Sequence, residues 1–135
     1  MEQEFRKVSH HSILSEVETL HEERYRLIQI CATTVSEGYE ILYTFGKGYD
    51  EVQVKIHTDP GEHVQSISRI FPPAWLYENE IHDLHGIEID GITLDFRGEL
   101  YRTKVKAPFS HETMEGKDNT IKTAKAEAAS RAGER

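Results

Sequence analysis

Residues 39–56, YEILYTFGKGYDEVQVKI, decide the class of fold. Apolar side chains occupy every second position on both sides of a turn that contains two glycines. Such alternation is typical of strands with one buried face, and glycine supplies the positive φ angles that tight turns need. The stretch therefore predicts two antiparallel strands joined by a turn. The residues that should face the core are Tyr39, Ile41, Tyr43, Phe45, Val52, Val54 and Ile56.

Two further elements are predicted upstream of this hairpin. Residues 25–34 have the composition of a third strand, so the simplest topology is an antiparallel meander with one covered face. Residues 11–23 have the period of an amphipathic helix with Ser12 as its N-cap, and residues 1–10 are expected to be an N-terminal extension. The apolar residues that these two elements should turn inward are Ile13, Val17, Leu20, Ile28, Ile30 and Ala32.

Downstream of the strands the apolar period becomes that of a helix. The segment DPGE at residues 59–62 has the capping residues of a helix start, so residues 59–71 are predicted to be helical. A Pro-Pro pair should separate this helix from a second one at residues 74–85, which Gly86 should end in the left-handed conformation. Residues 90–91, Asp-Gly, then predict a two-residue hairpin between short strands.

These elements predict one α+β domain with a tail. Residues 11–109 should comprise an N-terminal helix, an antiparallel sheet of three to five strands, and two helices packed on one face of the sheet. Hydrophobic residues become sparse after Phe109, and residues 110–135 are rich in Lys, Glu, Ala and Thr. Such a segment buries too little apolar surface to offset the entropy of ordering it. We therefore expect an extended, charged C-terminal tail that is disordered or bound to a partner.

Composition argues against several classes of function. The formal net charge is −8, which disfavours binding to nucleic acids and docking on an anionic membrane surface. No apolar run approaches the roughly 20 residues that span a bilayer, so no direct membrane insertion is expected. The single cysteine, Cys31, lies in an apolar run and is predicted to be a buried thiol rather than a nucleophile or a ligand of an iron–sulfur cluster.

One constellation of residues could carry chemistry. Glu78, His82 and His85 are spaced i, i+4 and i+7 on the second predicted helix, so they share a face and could in principle bind a divalent metal. The simpler interpretation is a polar face that meets solvent or a partner. The usual nucleotide-binding, hydrolase and zinc-protease motifs are absent from the sequence. We therefore predict no catalytic, cofactor-binding or metal-binding residue in this chain.

Residues 78–91, ENEIHDLHGIEIDG, resemble the signature of the 30 kDa (C) subunit family of respiratory complex I. That signature runs E-R-E-x-x-D, an apolar residue, F or Y, G-I-x-F-x-G, and then H-P-D-L-R. The sequence departs from it where Asn79 replaces the arginine, His85 replaces the aromatic residue, and Ile92-Thr93 replaces His-Pro. The matching positions, which the resemblance marks as a structural and interface motif, are Glu78, Glu80, Asp83, Gly86, Ile87 and Gly91.

With these departures and a K-x-P-F element at residues 106–109, the sequence resembles the short homologues in Ech-type, energy-converting, membrane-bound [NiFe] hydrogenases more than the complex I subunit itself. The resemblance implies a non-catalytic subunit without a cofactor, peripheral on the cytoplasmic side of the membrane. It would dock on a large catalytic subunit and a small iron–sulfur subunit, which would hold the Ni–Fe centre and the iron–sulfur clusters. The motif carboxylates are expected to accept hydrogen bonds from the chain's own loops or from basic groups of the large subunit.

Three other interpretations remain open. The first is the C subunit of an NADH/quinone-type complex I, in which the large partner carries the quinone site. The second is a free-standing small metal-dependent enzyme that uses Glu78, His82 and His85. The third is a protein-binding adaptor without a redox connection.

Overall fold

The computed structural model describes residues 3–95 and 106–110 of the 135-residue chain. Its elements are β1 (Gln3–Lys7), α1 (Ile13–Glu22), β2 (Arg26–Val35), β3 (Gly38–Lys47), β4 (Asp50–Thr58), β5 (His63–Gln65), α2 (Ala74–His85) and β6 (Glu88–Asp90). A 3₁₀ helix, His10–Ser12, leads into α1, and the side chain of Ser9 rather than Ser12 provides the cap at this end. The predicted α+β class is confirmed.

Four strands form the main sheet, in the order β1-β4-β3-β2. The predicted meander is confirmed, because both β2–β3 and β3–β4 are antiparallel, and Tyr43 lies opposite Ile30 on one side and Val54 on the other. β1 pairs with β4 in the parallel direction, so the sheet is mixed rather than wholly antiparallel. Residues 1–10, predicted to be an extension, thus contribute an edge strand.

The core lies on one face of this sheet. The predicted inward residues of β3, β4 and α1 are all buried. In β2 the prediction is partly wrong, because a β-bulge between Leu27 and Gln29 takes Ile28 out of the alternation and leaves its side chain 39% exposed. Cys31, predicted to be buried, is exposed, because it lies on the opposite side of the strand from its buried neighbour Ile30.

The segment after β4 is not the helix that the sequence predicts. The capping contact forms, since the N–H of Asp59 donates to Oε1 of Glu62 at 2.8 Å, but it closes a turn. Gly61 adopts φ +87°, and β5 follows at once. β5 pairs in parallel with β6, and Val64 is buried in strand geometry. The predicted helix at residues 59–71 is therefore wrong.

The predicted hairpin at residues 90–91 is also wrong within the described residues. Gly91 turns the chain with φ +81°, as expected of a turn, but residues 92–95 are not in a strand. β6 pairs instead with β5, and the N–H of Ser66 extends this contact by donating to the carbonyl oxygen of Asp90 at 2.9 Å. The rest of the expected second strand, and the tail from residue 111 onward, lie outside the described residues.

α2 has the predicted bounds and the predicted end. Gly86 takes the left-handed conformation, φ +74°, and its N–H donates to the carbonyl oxygen of His82 at 2.9 Å. The helix packs against β2, where the hydroxyl of Tyr77 donates to the carbonyl oxygen of the bulged Ile28 at 3.1 Å.

Residues 106–110 return to this same edge of the molecule. The N–H of Phe109 donates to the carbonyl oxygen of Leu84, near the end of α2. The carbonyl oxygen of Phe109 accepts from the hydroxyl of Thr34, near the end of β2. The second half of β2 is therefore tied down by a distant segment of the chain.

Candidate functional site

The inner side of α2 carries a buried carboxyl group. Glu78 is 2% exposed, and its Oε1 accepts a hydrogen bond from the backbone N–H of Ile67 at 3.1 Å. Burial raises the pKa of Glu78 to about 7, against the opposing effect of hydrogen bonds from Ser66 and Ile67. Burial and the nearby charge of Glu78 also raise the pKa of Tyr43. Glu78 therefore does not lie on a solvated polar face, as the simpler interpretation had it, but holds a backbone donor in the interior.

The residue next to it is buried as well. Asn79 is fully buried, and its amide donates to the carbonyl oxygens of Trp75 and Leu94, both at 2.7 Å. The Ser68 hydroxyl accepts from the N–H of Thr93 at 3.0 Å. These contacts tie α2 and the segment before it to the loop after β6. We call the following side chains the buried polar network: Ser66, Ser68, Glu78 and Asn79.

The other motif residues lie at the end of α2 and just beyond it. Asp83 and Ile87 are buried, whereas Glu80 is only partly buried. Gly86 and Gly91 both provide positive φ angles at turns. The structure thus gathers the motif around one helix and the segment that follows it, and Glu80 is the motif carboxylate that stays partly exposed. Its role at an interface stays a prediction.

The spacing-based metal option does not correspond to a cluster in the structure. Nδ1 of His82 lies 3.1 Å from the carbonyl oxygen of Ile87, and the ring of His85 packs edge-on against Tyr39. Burial lowers the pKa of His85. Within residues 3–95 and 106–110, Glu78, His82 and His85 do not form a group whose ligand atoms all lie within 4.8 Å of one another.

Sequence reasoning missed the partners of the motif. Ser66 and Ser68 flank the buried Ile67, and small polar residues beside a buried position need hydrogen-bond partners. That pattern was a usable signal. Asn79 appeared only as a departure from a signature, because nothing in its local sequence indicates that both sides of α2 would be covered.

A comparison with protein families matches residues 6–114 to the family described as respiratory-chain NADH dehydrogenase, 30 kDa subunit. The match covers most of the chain and includes every residue of the motif. The chain belongs to this family. The 30 kDa subunit family consists of subunits of respiratory oxidoreductase complexes. The comparison with curated proteins finds no match.

Two solved structures are similar in fold to this member of the 30 kDa subunit family. One is a chain of the membrane-bound sulfane sulfur reductase (MBS), an archaeal respiratory membrane complex. Its TM-score is 0.72 at 17% identity, over 83% of this chain and 72% of that chain. The other is the trypsin-resistant fragment (1–134) of Nqo5, with a TM-score of 0.61 at 13% identity, over 67% of this chain and 80% of that chain. At such identities the likeness concerns the fold alone.

The helices of the described part, α1 and α2, are both too short and too polar to cross a membrane.

Proposed function

We propose that this chain is a non-catalytic docking subunit of a membrane-associated, ferredoxin-linked [NiFe] hydrogenase of the energy-converting type, peripheral on the cytoplasmic side. The observation that carries the proposal is the family match over residues 6–114. The departures at Asn79, His85 and residues 92–93 favour the hydrogenase branch of the resemblance. In this proposal the chain binds no redox cofactor, and the Ni–Fe centre and iron–sulfur clusters belong to the large catalytic and small iron–sulfur subunits.

The burial of the motif supports a structural rather than a catalytic role. Oε1 of Glu78 accepts from the backbone N–H of Ile67, and the side-chain amide of Asn79 donates to two backbone carbonyl oxygens of the chain itself. A general acid or base must reach a substrate proton directly or through one water. A side chain that is 2% exposed, such as Glu78, offers no such access in this conformation.

The surface around α2 has the composition of a docking surface. Three large apolar side chains that are 44–49% exposed are attached to this helix: Leu76, Leu94 and Phe109. Leu76 lies on α2, the backbone of Leu94 accepts from Asn79, and the backbone of Phe109 donates to α2. Leu76 and the partly buried Glu80 lie one helical turn apart on α2, and apolar residues beside such a carboxylate are typical of a protein interface. We call Leu76, Glu80, Leu94 and Phe109 the α2 surface.

Co-purification from the host tests the docking role. The tagged chain should bring down a large and a small subunit, and a Leu76→Asp plus Glu80→Lys variant should bring down at least about tenfold less, since two charge changes at an interface core cost more than about 1.4 kcal/mol. Tyr49→Ser is the matched control, because Tyr49 is 87% exposed in the β3–β4 turn, which is not part of the α2 surface. Equal recovery with the double variant would refute docking through α2.

The metal content of the recovered complex separates the candidate functions. Nickel together with iron supports the hydrogenase. Iron without nickel supports the alternative of a complex I-type C subunit, the kind of complex that the family description names, or a relative of the sulfur reductase whose fold is similar. A chain that purifies alone and turns over a substrate would overturn the docking proposal in favour of a free-standing enzyme.

A further inference from the structure

The start of the domain holds a cluster of metal-ligand side chains that the sequence does not suggest. Nε2 of His10 and Oε2 of Glu62 are 2.7 Å apart, and the rings of His10 and His11 lie with centroids 3.9 Å apart. One ligand atom from each of these three residues falls within 4.8 Å of the others. Since 52 positions separate His10 from Glu62, no spacing rule links them. We propose that His10, His11 and Glu62 form a binding site for a zinc-like divalent transition metal.

The chemistry of the three side chains fits such an ion. Zinc takes imidazole nitrogen and carboxylate oxygen at about 2.0–2.1 Å, so tetrahedral ligand atoms lie roughly 3.3 Å from one another. The ligand atoms of the three residues already lie within 4.8 Å of one another, so side-chain rotations can bring them to that spacing. Two imidazoles and one carboxylate leave a fourth position for water, and they select zinc, nickel or copper over magnesium, which prefers oxygen ligands.

The surroundings hold the carboxylate in place. Oε1 of Glu62 accepts from the backbone N–H of Asp59 at 2.8 Å, which leaves Oε2 directed at His10. Outer hydrogen bonds of this kind orient metal ligands and tune their affinity. The side chain of His10 is 12% exposed, so its position is already restricted before any ion binds.

The consequence of binding would be mechanical. His10 and His11 follow the edge strand β1, and Glu62 lies in the turn between β4 and β5. An ion held by these histidines and by Glu62 would join the segment after β1 to the turn that leads into β5. The site is separate from the α2 surface, and its proposal does not depend on the proposed docking function.

Calorimetric titration of the metal-free full chain with Zn²⁺ tests the site. One ion should bind per chain, and His11→Gln and Glu62→Gln should each weaken the affinity at least about tenfold, as loss of a ligand does. Mg²⁺ in the same titration should give no heat of binding. His21→Gln is the matched control, because His21 is an exposed histidine at the end of α1 and outside the cluster.

Thermal unfolding separates loss of a ligand from loss of the fold. Because His11 is exposed, His11→Gln should unfold at the wild-type midpoint without metal. Zn²⁺ at a concentration that saturates the wild type should raise the midpoint of the wild type and of His21→Gln by several degrees, and that of His11→Gln by clearly less. Absence of stoichiometric Zn²⁺ binding to the wild type, or equal affinity in His11→Gln and Glu62→Gln, would overturn the proposal.

Discussion

Glu78 couples the stability of the domain to pH. Its pKa is about 7 in the folded state and about 4.5 when unperturbed, so folding favours the protonated carboxyl. The resulting stabilisation is fully present below pH 4.5 and is lost as the pH rises through about 7, a total of roughly 3 kcal/mol. Glu78→Gln keeps an acceptor for the N–H of Ile67 and cannot ionise. We expect this variant to match the wild type near pH 4.5 and to be more stable near pH 8 in urea unfolding.

The neighbouring Glu80 supplies the control for this prediction. Glu80→Gln removes the same charge from the same helix at a partly exposed position, and it should keep the wild-type change in the free energy of unfolding between the two pH values. If Glu78→Gln shows that same change, the buried carboxyl is not the group responsible.

At the residue scale, the sequence was a good guide to which positions are structurally important. It was a poorer guide to the contacts that those residues make. The end of α2 at Gly86 and the turn at Gly91 follow from glycine chemistry, and both are found. Glu78 and Asn79 were not predictable, because their burial depends on loops that come from both sides of the helix. Helical periodicity describes a helix with one covered side, and α2 has more than one.

At the scale of elements, two glycines in the β3 turns should respond differently to the same substitution. Gly38 has φ +133°, and an added Cβ would lie 2.5 Å from the carbonyl oxygen of Thr58. Gly48 has φ +60°, and an added Cβ would meet nothing within 4 Å. We expect Gly48→Ala to cost about 1 kcal/mol, from the left-handed backbone alone. Gly38→Ala should cost at least about 3 kcal/mol, because the backbone must also move.

Chemical unfolding of both variants checks this difference. The pair is well matched, since Gly38 is the first residue of β3, Gly48 comes directly after its last residue, and each substitution adds one methyl group. Similar losses of stability in the two variants would show that the β2–β3 turn relaxes freely, which would contradict the close approach of Thr58 to Gly38.

The segment after β4 shows why element prediction failed where it did. The capping contact between Asp59 and Glu62 is real, so the local signal at residues 59–62 was interpreted correctly as a capped turn. Whether a helix follows such a turn depends on the next residues, and these pair with β6, which lies far along the chain. Long-range strand pairing overrode local preference here.

At the scale of the whole molecule, β1 should protect the edge of β4. Removing residues 1–7 deletes the parallel ladder from Gln3 to Lys7 and should cost roughly 2–4 kcal/mol, from several lost backbone hydrogen bonds. An exposed strand edge also pairs with other chains, so the truncated protein should self-associate in size-exclusion chromatography with light scattering. Phe5→Ser is the control: Phe5 is 58% exposed, and this change leaves the backbone ladder intact. A truncated chain as stable and monomeric as Phe5→Ser would contradict the prediction.

The sequence could not place β1, because a parallel pair joins strands that are distant along the chain. The meander was predictable for the opposite reason: β2, β3 and β4 are joined by short turns, and neighbouring strands pair with their neighbours. The class of fold and the order of the central strands could therefore be predicted from local sequence patterns. The edge strand could not, because its place depends on pairing between distant parts of the chain.

The other edge of the sheet is β2, and its structure affects whether unassembled copies of the chain associate with one another. A subunit made ahead of its complex is exposed to polymerisation through its sheet edge. The bulge at Ile28 interrupts the regular ladder there, and the carbonyl oxygen of Ile28 already accepts from the hydroxyl of Tyr77. Farther along β2, the side-chain hydroxyl of Thr34 donates to the carbonyl oxygen of Phe109. Within the part of the chain that the structure describes, these two contacts leave a short run of strand, residues 29–33, between them for pairing with another chain. We expect this short open edge to keep unassembled copies of the chain monomeric until they bind their partners.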